Sequence, residues 1–448
     1  MGSMASRLRA EAQLAPWGRV DPVTSLPNRP QFLADASRRR PGPATLVLVT
    51  LTEAGAFNEL LCALGHDRSQ TFIRAGAARL SEILPRTTRI YHVGPLSFAF
   101  EVEGEAGPER PAVVACIREG FSRPILCDDV PIDTVVGIGL RAVTPQPDED
   151  LRGALSAAED GRGRAAGWAW YDQRRDEAHR RAFRLLTDLK SALAAEDQLE
   201  LHFQPKITLG SNACHSVEAL ARWTHPELGP ISPGEFVPLA ETTALVAPFT
   251  RWVIDAATAQ VRRWQREGLD MGVAINVSPK NLEEADFVEY LLFTCAARGI
   301  DHARIELEIT EGVSASRGPL ILDRLAALRG LGFGIAIDDF GAGYSNMAYL
   351  TRRSANTLKI DQSLVRGLEP EAQSGRLVAG IVQMGHDLGY KIVAEGVETE
   401  VELGMLTGLG CDLGQGWHFG RPMRAPALVD WLAGRAGQGA RPRSRASS

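Results

Sequence analysis

Between residues 17 and 171, short apolar runs alternate with longer stretches whose apolar positions recur every three or four residues. TLVLVTL (45–51), RIYHVGPLSFAFEV (89–102) and TVVGIGLRAV (134–143) read as strands; NELLCALGHDRSQTFIRAGAARLSEIL (58–84) and DEDLRGALSAAEDGRG (148–163) read as helices. This alternation predicts an α/β domain. Residues 172–197 place Phe183, Leu185, Leu186, Leu189 and Leu193 at near-helical spacing in a charged segment, which predicts an amphipathic connecting helix. Residues 1–16 read as a short helix or leader. Residues 435–448 end in GQGARPRSRASS, with no acid, and read as a disordered tail.

From residue 198 to 434 the rhythm changes. Short apolar strands recur, each closing on a polar residue: HSVEAL (215–220), MGVAINVS (271–278), RIELEITE (304–311), GIAIDDFG (334–341), TLKID (357–361) and KIVAEGVE (391–398). Helical stretches such as 249–268 and 318–332 lie between them. Glu218, Asn276, Glu308, Asp338, Lys359, Glu395 and Gln415 follow one another at intervals near 30 residues, the length of one β-α unit, except for a longer interval of 58 after Glu218. The longer interval leaves room for an extra strand or helix. About 240 residues of such units fit a (β/α)8 barrel, whose strands all end at one rim. Parallel barrel strands are buried on both faces and should be apolar throughout, so acids at their ends need a reason.

Composition narrows the possibilities. The chain has 448 residues, room for two or three domains, with 44% hydrophobic and 23% charged residues and a formal net charge of -6. That charge gives no support for a nucleic-acid polymer as partner. No apolar window is long enough for a membrane span, and the first residues lack the apolar core of a secretory signal. Six cysteines without a C-x-x-C pair argue against a zinc site and fit a reducing, cytoplasmic setting.

A single acid at a strand end is ordinarily a helix cap or a rim ion pair. Here Glu218, Glu308, Asp338 and Glu395 converge on one rim, joined by Asp339 and by the neutral oxygen donor Asn276, with Lys359 as the one cation of the set. Several carboxylates in one cup stay ionised only when cations neutralise them. An oxygen-only donor set selects hard ions such as Mg2+ or Mn2+. Two ions sharing Asp338 would clamp an in-line displacement at phosphorus and activate water. The residues themselves therefore reach metal-assisted phosphoester hydrolysis and leave the substrate open.

The motifs Glu218-Ala219-Leu220, FQP (203–205), INVS (275–278), LEITE (307–311), DDFGAGYS (338–345), LKID (358–361), VAEGVE (393–398) and LGQGWHFGRP (413–422) stand in the order of the EAL domain, the cyclic-di-GMP phosphodiesterase family, which residues 198–432 resemble. The resemblance implies hydrolysis of cyclic-di-GMP to linear 5'-pGpG with two Mg2+ or Mn2+ ions. It assigns Glu218, Asn276, Glu308 and Asp338 to one ion, and Asp338, Asp339 and Glu395 to the second. Glu395 is then the general base, Lys359 contacts the water and phosphate, and Glu311 fixes the DDFG loop, whose order is tied to dimerisation. Gln204, Leu220, Arg222, Asp361 and Gln415 resemble substrate contacts. Ala342 and Ala244 depart from the usual threonine and glycine, and neither is a ligand position.

Residues 17–171 resemble a degenerate GGDEF domain, a mixed-sheet, nucleotidyl-cyclase-like fold, through DPVTSLPNRPQF (21–32) and LGHD (64–67). The signature positions read Gly94-Pro95-Leu96-Ser97-Phe98, the guanine-reading positions Leu61 and Gln70, and the inhibitory-site positions Pro85 and Thr88; only Glu53 stands near a metal-acid position. Leucine cannot hold Mg2+, so cyclase activity is excluded, GTP binding is disfavoured, and a regulatory or dimerising role is expected. The resemblance implies a homodimer. The competing reading of the whole is a receptor that holds cyclic-di-GMP without cutting it.

Overall fold

The computed structural model describes residues 17–39, 42–103, 112–127, 130–310, 319–342, 355–368 and 373–439. It divides into two compact units, residues 1–181 and 182–448, each with its own core. No helix among the described residues is long and apolar enough to cross a membrane.

The first unit is built on a five-stranded sheet of order β2-β3-β1-β6-β7, from β1 (Ala44–Thr50), β2 (Tyr91–Gly94), β3 (Ser97–Glu103), β6 (Gly137–Ala142) and β7 (Trp168–Trp170). A separate ribbon pairs β4 (Ile125–Cys127) with β5 (Val130–Ile132). β1 runs antiparallel to β3 and β6, and β6 parallel to β7, so the sheet is mixed. The single strand expected over 89–102 is a hairpin, because Pro95 and Gly94 force a turn inside it. Leu96 is buried beside that turn.

The DPVTSLPN segment is a set of local caps. Asp21 accepts the amides of Val23 and Thr24 at 3.0 and 2.9 Å and pairs with His92 at 2.8 Å. Asn28 caps the helix Arg29–Ala36 by accepting the Gln31 amide. The helix Ala54–Ile83 is interrupted at Gly65, whose φ of 79° lies outside the helical range. Glu53 is an exposed residue at its start. The connecting segment forms the helix Gln173–Ala192, and the boundary between units falls inside it. Its first turn is fixed by Asp176, which is buried and bonded to Arg152, Arg180 and Tyr171.

The second unit is a closed barrel of β8 (Leu199–Thr208), β9 (Ala213–His225), β11 (Gly272–Asn276), β12 (Ile305–Thr310), β13 (Gly334–Phe340), β14 (Thr357–Ile360), β15 (Lys391–Ala394) and β16 (Leu413–Gly414). The short strand β10 (Gly229–Ile231) pairs with β9, and β17 (Met423–Arg424) pairs with β8. β10 and the helices Pro233–Glu241 and Val246–Arg266 fill the long interval after Glu218. The latter helix buries Phe249, Val253, Ile254, Ala257, Val261 and Trp264 at helical spacing, an apolar stripe laid on the strands.

Two expectations need correction. A (β/α)8 barrel has only parallel strands, whereas β8 runs antiparallel to both neighbours, β9 and β16. β8 and β9 are joined by a tight turn at residues 209–212, too short for the crossover that parallel pairing requires. Nor are the strands apolar on both faces. In β12, Ile305, Leu307 and Ile309 join the core under the helices, whereas Glu306 and Glu308 face the barrel interior and Lys206. The helix Ala425–Gly439 also runs into the segment read as tail from residue 435. The leader 1–16 lies outside the described residues.

Candidate active site

The paired aspartates answer to a local distortion of β13. In a regular strand, successive side chains point to opposite faces. Here Ile337 pairs with Leu358 and Phe340 with Ile360, so three steps on β13 span two on β14, a β-bulge. Asp339 sits at the bulge with φ 55°, a left-handed conformation that aspartate tolerates better than most residues. Asp338 Oδ1 accepts the Asp339 amide at 2.9 Å. The distortion brings both carboxylates to one side: Asp338, Asp339 and Glu395 each offer an oxygen within 4.8 Å of the others.

The rest of the set gathers on Lys359. Its Nζ lies 2.6 Å from Glu395, 3.0 Å from Asp338, 3.1 Å from Glu308 Oε2 and 3.9 Å from Glu218. Asn276 donates to Glu218 Oε1 at 2.8 Å. Gln415 donates to Glu218 and to Gln204, and Gln204 donates to the Gly420 carbonyl at 3.1 Å. Gly416 follows Gln415 because a Cβ there would overlap the Val397 backbone. Glu218, Asn276, Glu308, Asp338, Asp339, Lys359 and Glu395 are thus together, as are Gln204 and Gln415.

Charge balance sorts these groups. Burial opposes ionisation of Glu308, yet Lys206 and Lys359 hold its carboxyl down to about 2. Burial acts against the Lys359 ammonium as well, but Glu218, Glu308, Glu395 and Asp338 hold it well above the usual lysine range. Glu395 is pushed up to about 8 by burial, with Lys359 opposing and Asp338 adding to the rise. Glu218 is raised by burial and by Glu308, and Asp339 by burial and by Asp338. Two ammonium groups are too few for the acids around them, which leaves the cluster with a surplus of negative charge. Gln415 Oε1 is buried without a hydrogen bond, and Glu308 Oε2 has the Lys359 ammonium at 3.1 Å. An oxygen-only donor set, surplus negative charge and an unbonded acceptor oxygen on Gln415 together fit a divalent cation.

A cleft of about 320 Å³ opens over the cluster, lined by Gln204, Glu218, Leu220, Asp338, Asp339, Glu395 and Gln415 and extended by Gln362, Arg366, Glu398 and Trp417. Leu220 is part of the cleft wall. Arg222 and Asp361 are not among the lining residues. The Arg222 guanidinium donates to the Ala221 carbonyl, and Asp361 caps the helix Gln362–Val365 by accepting the Ser363 amide at 2.9 Å. Glu311 and the loop beyond Ala342 lie outside the described residues.

Sequence reasoning passed over Lys206, Glu306 and Trp417. The first two carried a signal, an ionisable residue at every second position of IELE and a lysine inside an apolar strand. Trp417 is more than half exposed, with the Arg421 guanidinium 4.4 Å over its ring.

Comparison with known proteins adds four findings. The family model described as "EAL domain" matches residues 186–422. The chain is 38% identical over 421 residues to Cyclic di-GMP phosphodiesterase PA2567 of Pseudomonas aeruginosa, covering 92% of this chain and 71% of that protein. It is 32% identical over 438 residues to the Bifunctional diguanylate cyclase/cyclic di-GMP phosphodiesterase MucR of the same organism, covering 96% of this chain and 64% of the relative. Among solved structures, the PaMucR phosphodiesterase in complex with c-di-GMP matches with a TM-score of 0.52 and 41% identity, over 55% of this chain and 99% of that one.

Proposed function

Because this chain belongs to the EAL domain family, we propose that it is a metal-dependent phosphodiesterase that opens cyclic-di-GMP to linear 5'-pGpG. The observation that carries this reading is the gathering of Glu218, Glu308, Asp338 and Glu395 around the Lys359 ammonium, with Asp339 beside them. Glu218, Asn276, Glu308 and Asp338 would hold one Mg2+ or Mn2+ ion, and Asp338, Asp339 and Glu395 a second. Bound there, the ions would polarise the scissile phosphate and acidify water.

The chain's own groups divide the remaining work. Glu395 takes the proton of the attacking water once a bound cation has displaced its own proton and left the carboxylate free to act as base. Lys359 fixes the Glu395 carboxylate through Oε1 at 2.6 Å and places a positive charge where a phosphate oxygen gains charge. Gln204 and Gln415, bonded to each other, present amides at the cleft wall, and Leu220 an apolar contact. By resemblance Arg222 and Asp361 would contact the substrate, and the role of Glu311 would be to order the DDFG loop.

Residues 17–171 serve as a degenerate GGDEF domain without cyclase activity. Leu96 and Ser97 stand where carboxylates are needed, and both are buried. The relatives that match over 92% and 96% of the chain extend across this region, one of them named as a bifunctional cyclase. Its role is regulatory or dimerising, and the active assembly is a homodimer. Incubating the full chain with cyclic-di-GMP and Mn2+ and separating the products by chromatography tests the reading. Appearance of pGpG supports it; intact substrate, with metal present and the protein dimeric, overturns it.

A further inference from the structure

Lys206 lies on β8, is 1% exposed, and takes no part in the roles assigned above. Its Nζ stands 2.6 Å from Glu308 Oε1 and 2.7 Å from Glu306 Oε1. Glu306 Oε2 accepts the Thr357 hydroxyl at 2.9 Å. The other oxygen of Glu308, Oε2, is the one turned to Lys359, paired with its ammonium at 3.1 Å. Thr357, Glu306, Lys206, Glu308 and Lys359 therefore form a column of alternating partners along the barrel interior. At one end is the acid cluster. At the other is a second cleft of about 440 Å³, whose lining includes Lys206, Glu306, Thr357 and Lys391.

We propose that Lys206 is a positioning residue for the metal site: by claiming Glu308 Oε1, it locks the carboxylate so that Oε2 alone is presented to the cation. This inference rests on the reading of the cluster as a divalent-metal centre. A carboxylate has two equivalent oxygens and rotates readily unless one is fixed. Groups that fix a metal-ligating side chain from behind typically change metal affinity or activity by about ten- to a hundredfold when removed. Glu306 has a different task. It neutralises Lys206 from the far side, where its own side chain is a quarter exposed to the second cleft.

The two tasks separate by mutation. Lys206→Met alone leaves two carboxylates facing an apolar side chain and lowers stability. The double variant Lys206→Met/Glu306→Gln removes one charge of each sign, so it recovers most of the thermal stability. If Lys206 only balanced Glu306, metal binding would recover too. We expect instead that the double variant binds Mn2+ alone, measured by calorimetry, about tenfold or more weakly than the parent chain, with kcat reduced and KM within threefold. Glu306→Gln, which leaves Lys206 on Glu308, stays within about threefold in Mn2+ affinity.

Parent-like Mn2+ affinity in the double variant overturns the proposal. A parent chain that binds no Mn2+ overturns the metal-centre reading itself, which is a distinct result. A measurement on the unmutated protein guards against a variant that does not fold. The Lys206 ammonium should give a protected nitrogen resonance that shifts as Mg2+ saturates the site, and a resonance that stays in place contradicts the assignment.

Discussion

At the scale of single residues, the site is governed by too much negative charge in too little water. Glu395, raised to about 8, is protonated in the metal-free protein at neutral pH. An incoming cation must displace that proton, so Mn2+ affinity should climb by up to about tenfold per pH unit below pH 8 and level off above it, as calorimetry across pH 6–9 would record. The same shift fixes the sign of a stability effect. The folded state holds the Glu395 proton more tightly than the unfolded chain, whose glutamates titrate near 4.5. Between pH 4.5 and 8 the folded state therefore carries the extra proton, and the metal-free protein loses stability as pH rises through that window. Glu218, also raised, acts in the same direction. Added Mn2+ should cancel the loss in thermal melts. Glu395→Gln keeps shape and removes basicity; kcat should fall by about 10²- to 10⁴-fold, and the loss of thermal stability with rising pH should shrink.

At the scale of elements, two features decide whether the site forms. The bulge in β13 depends on Asp339 at φ 55°. Asn occupies that conformation more readily than Ala, so Asp339→Ala should be less stable than Asp339→Asn by about 1 kcal/mol in the absence of metal, and both should lose activity; paired denaturant titrations make the comparison. The helix Gln173–Ala192 depends on Asp176, whose carboxyl Arg152 holds well below its ordinary range, helped by Arg180 and Tyr171 against burial. A depressed acid stabilises above its unfolded pKa of 3.8 and loses that contribution as pH falls below it. Asp176→Asn should cost about 2 kcal/mol at pH 7 and flatten the acid limb of the unfolding curve.

The same scale shows what could be read from sequence. The polar residue closing each parallel strand stands out against an apolar run, which is why Glu218, Asn276, Glu308, Asp338 and Lys359 could be placed on strands before any coordinates. The antiparallel direction of β8 could not be read, because direction is set by which edges meet when the sheet closes, and FQP looks alike either way. The bulge was equally hidden. Adjacent aspartates read as opposite-facing in a regular strand, and only the register against β14 shows otherwise. Lys206 was legible in principle, but its partners lie 100 and 102 positions away and are brought to it only by the closed barrel.

At the scale of the molecule, the two units differ in chemical equipment. The second gathers buried acids and lysines at one cleft, whereas the first buries Leu96 at its hairpin, the position that the proposed GGDEF resemblance gives to a metal-holding acid. GTP with Mg2+ should therefore give no cyclic-di-GMP and no binding heat, and should leave turnover of cyclic-di-GMP unchanged. Product formation from GTP would refute the assignment of the first unit as degenerate.

The direction of β8 has a consequence for how the protein is made. β8 is the first barrel strand in the chain, and its partners include β16 and β17, which are the last. A nascent chain emerging from the ribosome cannot seal the ring until Gly414 has cleared the exit tunnel. By then every acid from Glu218 to Glu395 has been synthesised and waits on an open sheet. Any cation site built from these acids is therefore completed only when the ring closes.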